Sequence, residues 1–67
     1  QMDIDSELVL NRIMERGGHL PFNDKAAPMV IEREFGLSKN AFKRAVGRLL
    51  KAGKIVISDI GIDLKQD

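Results

Sequence analysis

Apolar residues recur in this chain at two spacings, and the change from one to the other divides it into elements. From Asp5 to Arg16, Val9, Leu10, Ile13 and Met14 share one side of a helix. Asp5 or Ser6 is placed to cap its N-terminus, and acids in the opening turn suit the positive end of the helix dipole. Gly17-Gly18 stops this helix, because glycine takes the left-handed backbone of a C-cap without strain. His19-Leu20-Pro21-Phe22 then reads as extended chain. Pro21 has no N–H to donate to a ladder, so the stretch is at most a brief edge strand. Asn23-Asp24-Lys25 is turn chemistry, with a local ion pair or cap expected at Asp24-Lys25.

A second helix starts near Pro28, where a missing N–H has no cost. Ile31 and Phe35 lie one turn apart and face inward, with Met29 or Val30 in support. Gly36 ends this helix, and Ser38 caps a third that runs from Lys39 to about Ala52, closed by Gly53. The Gly36-Leu37-Ser38 link is short enough to force the sharp crossing of a helix-turn-helix. After Gly53 the helical period gives way to the strand period. Lys54–Ser58 reads as a β-branched strand, Asp59-Ile60-Gly61 contains the turn, and Ile62–Leu64 returns. Two strands alone are marginal, so the pair must lean on the helices, and His19–Phe22 can add a third. The order is that of a winged helix, an α+β fold of three helices with a C-terminal hairpin wing. We expect residues 1–67 to form this one domain.

On a helical wheel with Lys39 at zero, Phe42, Ala45, Val46, Leu49 and Leu50 occupy an arc from about 240° to about 20°, the side that faces a core. Lys43, Gly47, Asn40, Lys51, Arg44 and Arg48 fill about 40° to about 180°. The outward arc is therefore cationic. Gly47 has a helix cost of about 1 kcal/mol relative to alanine. Either a ligand approaches its backbone closely or another helix packs against it.

Charge changes the picture most. Between Phe35 and Ser58 stand Lys39, Lys43, Arg44, Arg48, Lys51 and Lys54, with no Asp or Glu. Residues 1–34 hold seven acids against four bases, and 59–67 three against one, so the net charge of +1 conceals a basic segment on a mildly acidic body. Such asymmetry speaks of partners, and a polyanion, nucleic acid above all, is the natural one. In a winged helix the third helix is placed to enter a groove, with the hairpin beside the backbone. Lys39, Lys43, Arg44, Arg48, Lys51 and Lys54 are candidates to neutralise phosphates, and Asn40 and Arg44 carry the donor and acceptor groups that base edges match. On the first of its two readings, Gly47 would admit the close approach of a ligand backbone to the same arc.

The strings Gly17-Gly18-His19-Leu20-Pro21-Phe22-Asn23-Asp24-Lys25 and Ser38-Lys39-Asn40-Ala41-Phe42-Lys43-Arg44-Ala45-Val46-Gly47-Arg48-Leu49-Leu50-Lys51 closely resemble the C-terminal winged-helix domain of the conserved virulence factor B family. The resemblance runs from the first helix to the hairpin. Proteins of that family are bacterial RNA-binding regulators of virulence gene expression, in which OB-fold repeats precede the winged helix. The resemblance implies that RNA, rather than DNA, meets Lys39, Lys43, Arg44, Arg48 and Lys51, and that the OB-fold domains of the same protein are partners. It places Phe42, Ala45, Val46 and Leu49 in the core. Two positions depart from the family's pattern: Ala26-Ala27 replaces a serine cap before Pro28, and Leu50 stands where a tyrosine is expected.

Other chemistry is thin. With no Cys and one His, neither disulfides nor a four-ligand zinc site can form. We expect no cofactor and no small-molecule substrate. His19 reads as structural, and Gly17-Gly18 lacks the Lys and Ser or Thr of a phosphate loop. No spacing assembles nucleophile, base and oxyanion donors, so an enzyme is not expected. Phe35 and Phe42 fall at core positions, which leaves Phe22 as the one candidate for base stacking. No apolar run approaches the roughly 20 residues of a membrane span, so no membrane partner is expected. The chain begins with Gln and is expected to be a piece of a longer, cytoplasmic protein. Two alternatives stay open: an interdomain or protein-docking module, and a DNA-binding transcription regulator.

Overall fold

Asp3 starts the first helix earlier than the expected Asp5 or Ser6. In the computed structural model, which describes residues 3–65, Asp3 Oδ1 accepts the Ser6 N–H at 2.8 Å. That satisfies one of the free donors of the first turn, and α1 spans Ile4–Glu15. Ile4 is 81% exposed, so the cap rather than packing sets this start. The remaining elements follow as β1 (His19–Leu20), α2 (Pro28–Phe35), α3 (Lys39–Lys51), β2 (Ile55–Ser58) and β3 (Gly61–Leu64).

Two helices end in the same way, and each ending launches a strand. After α1, Gly18 N–H reaches Ile13 O at 2.8 Å and Gly17 N–H reaches Met14 O at 3.1 Å. After α3, Lys54 N–H reaches Leu49 O at 2.9 Å and Gly53 N–H reaches Leu50 O at 3.1 Å. Both are Schellman closures, with the nested pair of bonds that satisfies the last carbonyls. α2 has no side-chain cap at Ala27, as the missing serine implied, and begins with Pro28.

The sheet has the order β1-β3-β2, antiparallel throughout, with β1 on the edge where Pro21 confines it. Ile62 sits opposite both Leu20 and Ile57. Leu20 and Ile62 are buried and Ile57 partly so, which gives the sheet its inner face. Against it pack Val9 and Ile13 of α1, Ile31 and Phe35 of α2, and the α3 stripe Phe42, Ala45, Val46 and Leu49. Phe35 stacks on Phe42 with centroids 5.0 Å apart, and Phe22 meets Phe35 edge-on at 6.2 Å. All three aromatic rings are thus engaged with one another, and Phe22 is not a free stacking platform.

Four apolar residues expected to face the core, or to support residues that do, lie outside it. Met14, Met29, Val30 and Leu50 are exposed. Met14, Val30 and Leu50 each stand beside a buried neighbour on their helix, and about 100° of rotation per residue carries them off a stripe only one or two side chains wide. Met29 sits in the exposed first turn of α2, between Pro28 and Val30. Ion pairs bind the helices instead: the Glu34 carboxylate of α2 holds Arg16, whose Nε donates at 3.1 Å, and lies 3.7 Å from Arg12 Nε. The 23–25 turn forms without an Asp24–Lys25 ion pair. Asn23 makes it, accepting the Lys25 N–H through Oδ1 at 2.9 Å and donating through Nδ2 to Ser58 O at 2.8 Å. No helix among the described residues is long and apolar enough to cross a membrane.

Gly61, the first residue of β3, lies directly against the backbone of β1. A Cβ at this position would collide with the Leu20 carbonyl oxygen, a backbone atom that cannot swing away. Gly61→Ala is therefore expected to lower the unfolding free energy by about 2–3 kcal/mol, read from the urea midpoint. A loss below about 0.5 kcal/mol, the range of an ordinary surface change, would contradict this packing.

Candidate nucleic-acid interface

The basic arc is built by burying its opposite side. Ser38 Oγ accepts the Ala41 N–H at 3.2 Å and starts α3 at Lys39, with no acid in the first turn. Phe42, Ala45, Val46 and Leu49 are then all 1% exposed or less. Their burial fixes the rotation of the helix about its axis. Asn40, Lys43, Arg44, Gly47, Arg48 and Lys51 are left exposed, and Lys39 sits half-buried at the border. Like charges at Lys39/Lys43 and Arg44/Arg48 fall one turn apart, an arrangement that costs a few tenths of a kcal/mol per pair.

Lys54 joins this arc through the backbone. Its N–H closes α3, and its carbonyl accepts the Lys65 N–H at 3.0 Å at the open end of the hairpin. The register Ile55↔Leu64 therefore sets Lys54 opposite Lys65. Lys65 is exposed and was hidden in the sequence by the acids around it; only the strand pairing shows it beside Lys54.

Neutralising partners are few. Among the described residues, no carboxylate oxygen comes within 4.0 Å of Lys39, Lys43, Arg44, Lys51 or Lys54. Arg48 differs: its Nη1 is held by Oδ2 of Asp3, the residue that caps α1. Hydrogen bonding from Ser6 comes first among the causes that hold the Asp3 carboxyl below the usual carboxylate range, and the Arg48 guanidinium adds to it. We assign the Ser6 part to its backbone N–H, because the buried hydroxyl has no aligned partner.

Gly47 is resolved in favour of open space. A Cβ there would meet nothing within 4 Å, so no helix packs against it. His19 is occupied structurally: its Nδ1 lies 2.6 Å from Asp63 Oδ1, opposite it in the β1–β3 ladder. A carboxylate can only accept, so Nδ1 carries the proton. Among the described residues, no group of three or more His, Cys, Asp or Glu could hold a metal ion. A shallow, open depression lined by Met29, Glu32 and Arg33 lies on α2.

Three helices, a tight turn between α2 and α3, and a hairpin beside the third define a winged-helix domain. Residues 7–64 match the CvfB-like winged helix domain, and the chain belongs to that family. It is 39% identical over 66 residues to conserved virulence factor B of Staphylococcus saprophyticus, covering 98% of this chain and 22% of that protein. It is 44% identical over 54 residues to the uncharacterised protein YitL of Bacillus subtilis, covering 81% of this chain and 18% of YitL. A crystal structure of a multidomain protein with nucleic acid binding domains from Streptococcus pneumoniae superposes with a TM-score of 0.92 at 39% identity, over 96% of this chain and 22% of that one. The chain thus spans about a fifth of the length of each of these relatives.

Because Gly47 is helical, exposed and uncrowded, Gly47→Ala is expected to raise stability by about 0.5–1 kcal/mol. If a ligand backbone approaches there, the same change weakens nucleic-acid binding. Paired measurement of the thermal midpoint and of oligonucleotide affinity checks this; a stabilised variant with unchanged affinity removes Gly47 from the interface.

Proposed function

We propose that this domain binds nucleic acid, and RNA in particular, through the arc of α3 and the base of the wing. Lys39, Lys43, Arg44, Lys51 and Lys54 meet phosphates, Arg48 joins them at the α1 side, Asn40 and Arg44 approach base edges, and Gly47 leaves room for a ligand backbone on the same arc. The observation that carries this reading is the row of exposed cations with no acid between Phe35 and Ser58. Counterion release on meeting phosphate offsets the repulsion that the row accepts in the free protein. The pneumococcal relative, described as having nucleic acid binding domains, supports the class of ligand. RNA rather than DNA rests on the resemblance of the chain to RNA-binding regulators. In the longer protein, the OB-fold domains are the expected neighbours, with the winged helix adding phosphate contacts to theirs.

A second reading, docking against another domain, is favoured by the exposed Met29 and Val30 of α2. It uses a different helix from the cations, so the two readings are separable by where a partner touches.

Fluorescence anisotropy with a labelled single-stranded RNA tests the first. Affinity is expected to be micromolar or weaker and to fall steeply with salt, with a slope of about 0.7 per phosphate neutralised. Lys43→Gln and Lys51→Gln should each flatten that slope by about 0.7. Absence of binding even at low ionic strength would end the proposal.

A further inference from the structure

Asp3 makes two bonds with one carboxylate. Oδ1 accepts the Ser6 N–H at 2.8 Å and caps α1, while Oδ2 holds Arg48 on α3, 45 residues away in sequence. The pair is open to solvent, with side chains 40% and 61% exposed. Of the six cations between Phe35 and Ser58, Arg48 alone has a carboxylate in salt-bridge range among the described residues. The Asp3 carboxyl is held below the usual range, by Ser6 first and then by Arg48, so it is ionised at neutral pH.

A carboxylate and a phosphate present oxygens that the guanidinium fork binds in the same way. The two therefore compete for the same N–H donors. We propose that Asp3 is a built-in competitor for Arg48: a phosphate reaching this edge of α3 must displace the Asp3 carboxylate. The helix cap of α1 thereby sets how tightly α3 holds a phosphate polymer. This role presupposes that α3 meets phosphate, as proposed above. It also assigns opposite effects to the two partners: loss of Arg48 weakens binding and loss of the Asp3 charge strengthens it.

Cap and charge are separable, because asparagine and serine cap helices about as well as aspartate. The experiment measures binding of a fluorescently labelled oligouridylate to wild type, Asp3→Asn, Arg48→Gln and the double variant at several salt concentrations. Asp3→Ser is the second variant should Asp3→Asn fold poorly. Asp3→Asn is expected to bind about two- to fivefold tighter at low salt, the size of an exposed ion pair. Its salt slope should steepen by about 0.7, one more phosphate neutralised. Both gains should vanish in the Arg48→Gln background. Equal gains in that background would overturn the proposal, because the acid would then act by general repulsion. Wild-type binding with no gain in Asp3→Asn would also overturn it while leaving the phosphate-binding reading intact. If neither protein binds at low salt, that reading falls and the competition falls with it.

Discussion

Burial of one narrow stripe on α3, Phe42-Ala45-Val46-Leu49, is the constraint on which the rest of the molecule depends. These four side chains leave the helix no freedom to rotate about its axis, since a turn of one residue would bring a Lys or Arg into an apolar interior at high cost. The core they enter is small. It is closed by Val9 and Ile13 on one side, by Ile31 and the Phe35–Phe42 stack on another, and by Leu20, Ile55 and Ile62 of the sheet. A chain of this size buries only about 60% of its unfolded surface, so no part of that interior is spare. The cations are exposed because the other side of their helix is needed.

Charge is organised around the same division. The acids of the N-terminal half are turned partly onto their own neighbours: Glu34 binds Arg12 and Arg16 between α1 and α2, and Asp3 caps α1. Exposed pairs of this kind contribute little each to stability. Their larger consequence is electrostatic, because they neutralise bases outside α3 and leave most of the α3 cations alone. Asp3 is the exception, reaching from the body to Arg48. The field that a polyanion would meet is thus concentrated on one helix and the foot of the hairpin, where Lys54 and Lys65 face each other.

Much of this was legible in the residues. Gly17-Gly18, Gly36, Ser38 and Gly53 marked element ends correctly, because these signals are local: the glycines act through backbone conformation, and Ser38 through a hydroxyl that reaches a backbone N–H three residues on. Pro21 placed β1 on an edge for the same kind of reason. What was not legible depended on contacts between distant segments. Met14 and Leu50 fit the apolar period and yet lie outside the core, because the width of a buried stripe is set by the facing elements. Asp3 as cap and as partner of Arg48, and Lys65 beside Lys54, required knowing which segments meet. In the candidate interface, residue identity and exposure could be read in advance for most cations. The neutralisation of Arg48 could not, since its carboxylate lies 45 residues away.

The central claim is that the unopposed positive charge of α3 and the wing base meets phosphate. Backbone amide shifts of isotopically labelled protein, followed by NMR as single-stranded RNA is added, test it most directly. The account predicts shifts clustered at Asn40, Lys43, Arg44, Gly47, Lys51 and Lys54, with α2 from Met29 to Arg33 and the His19–Asp63 pair little moved. Shifts centred on α2 with α3 unmoved would contradict it.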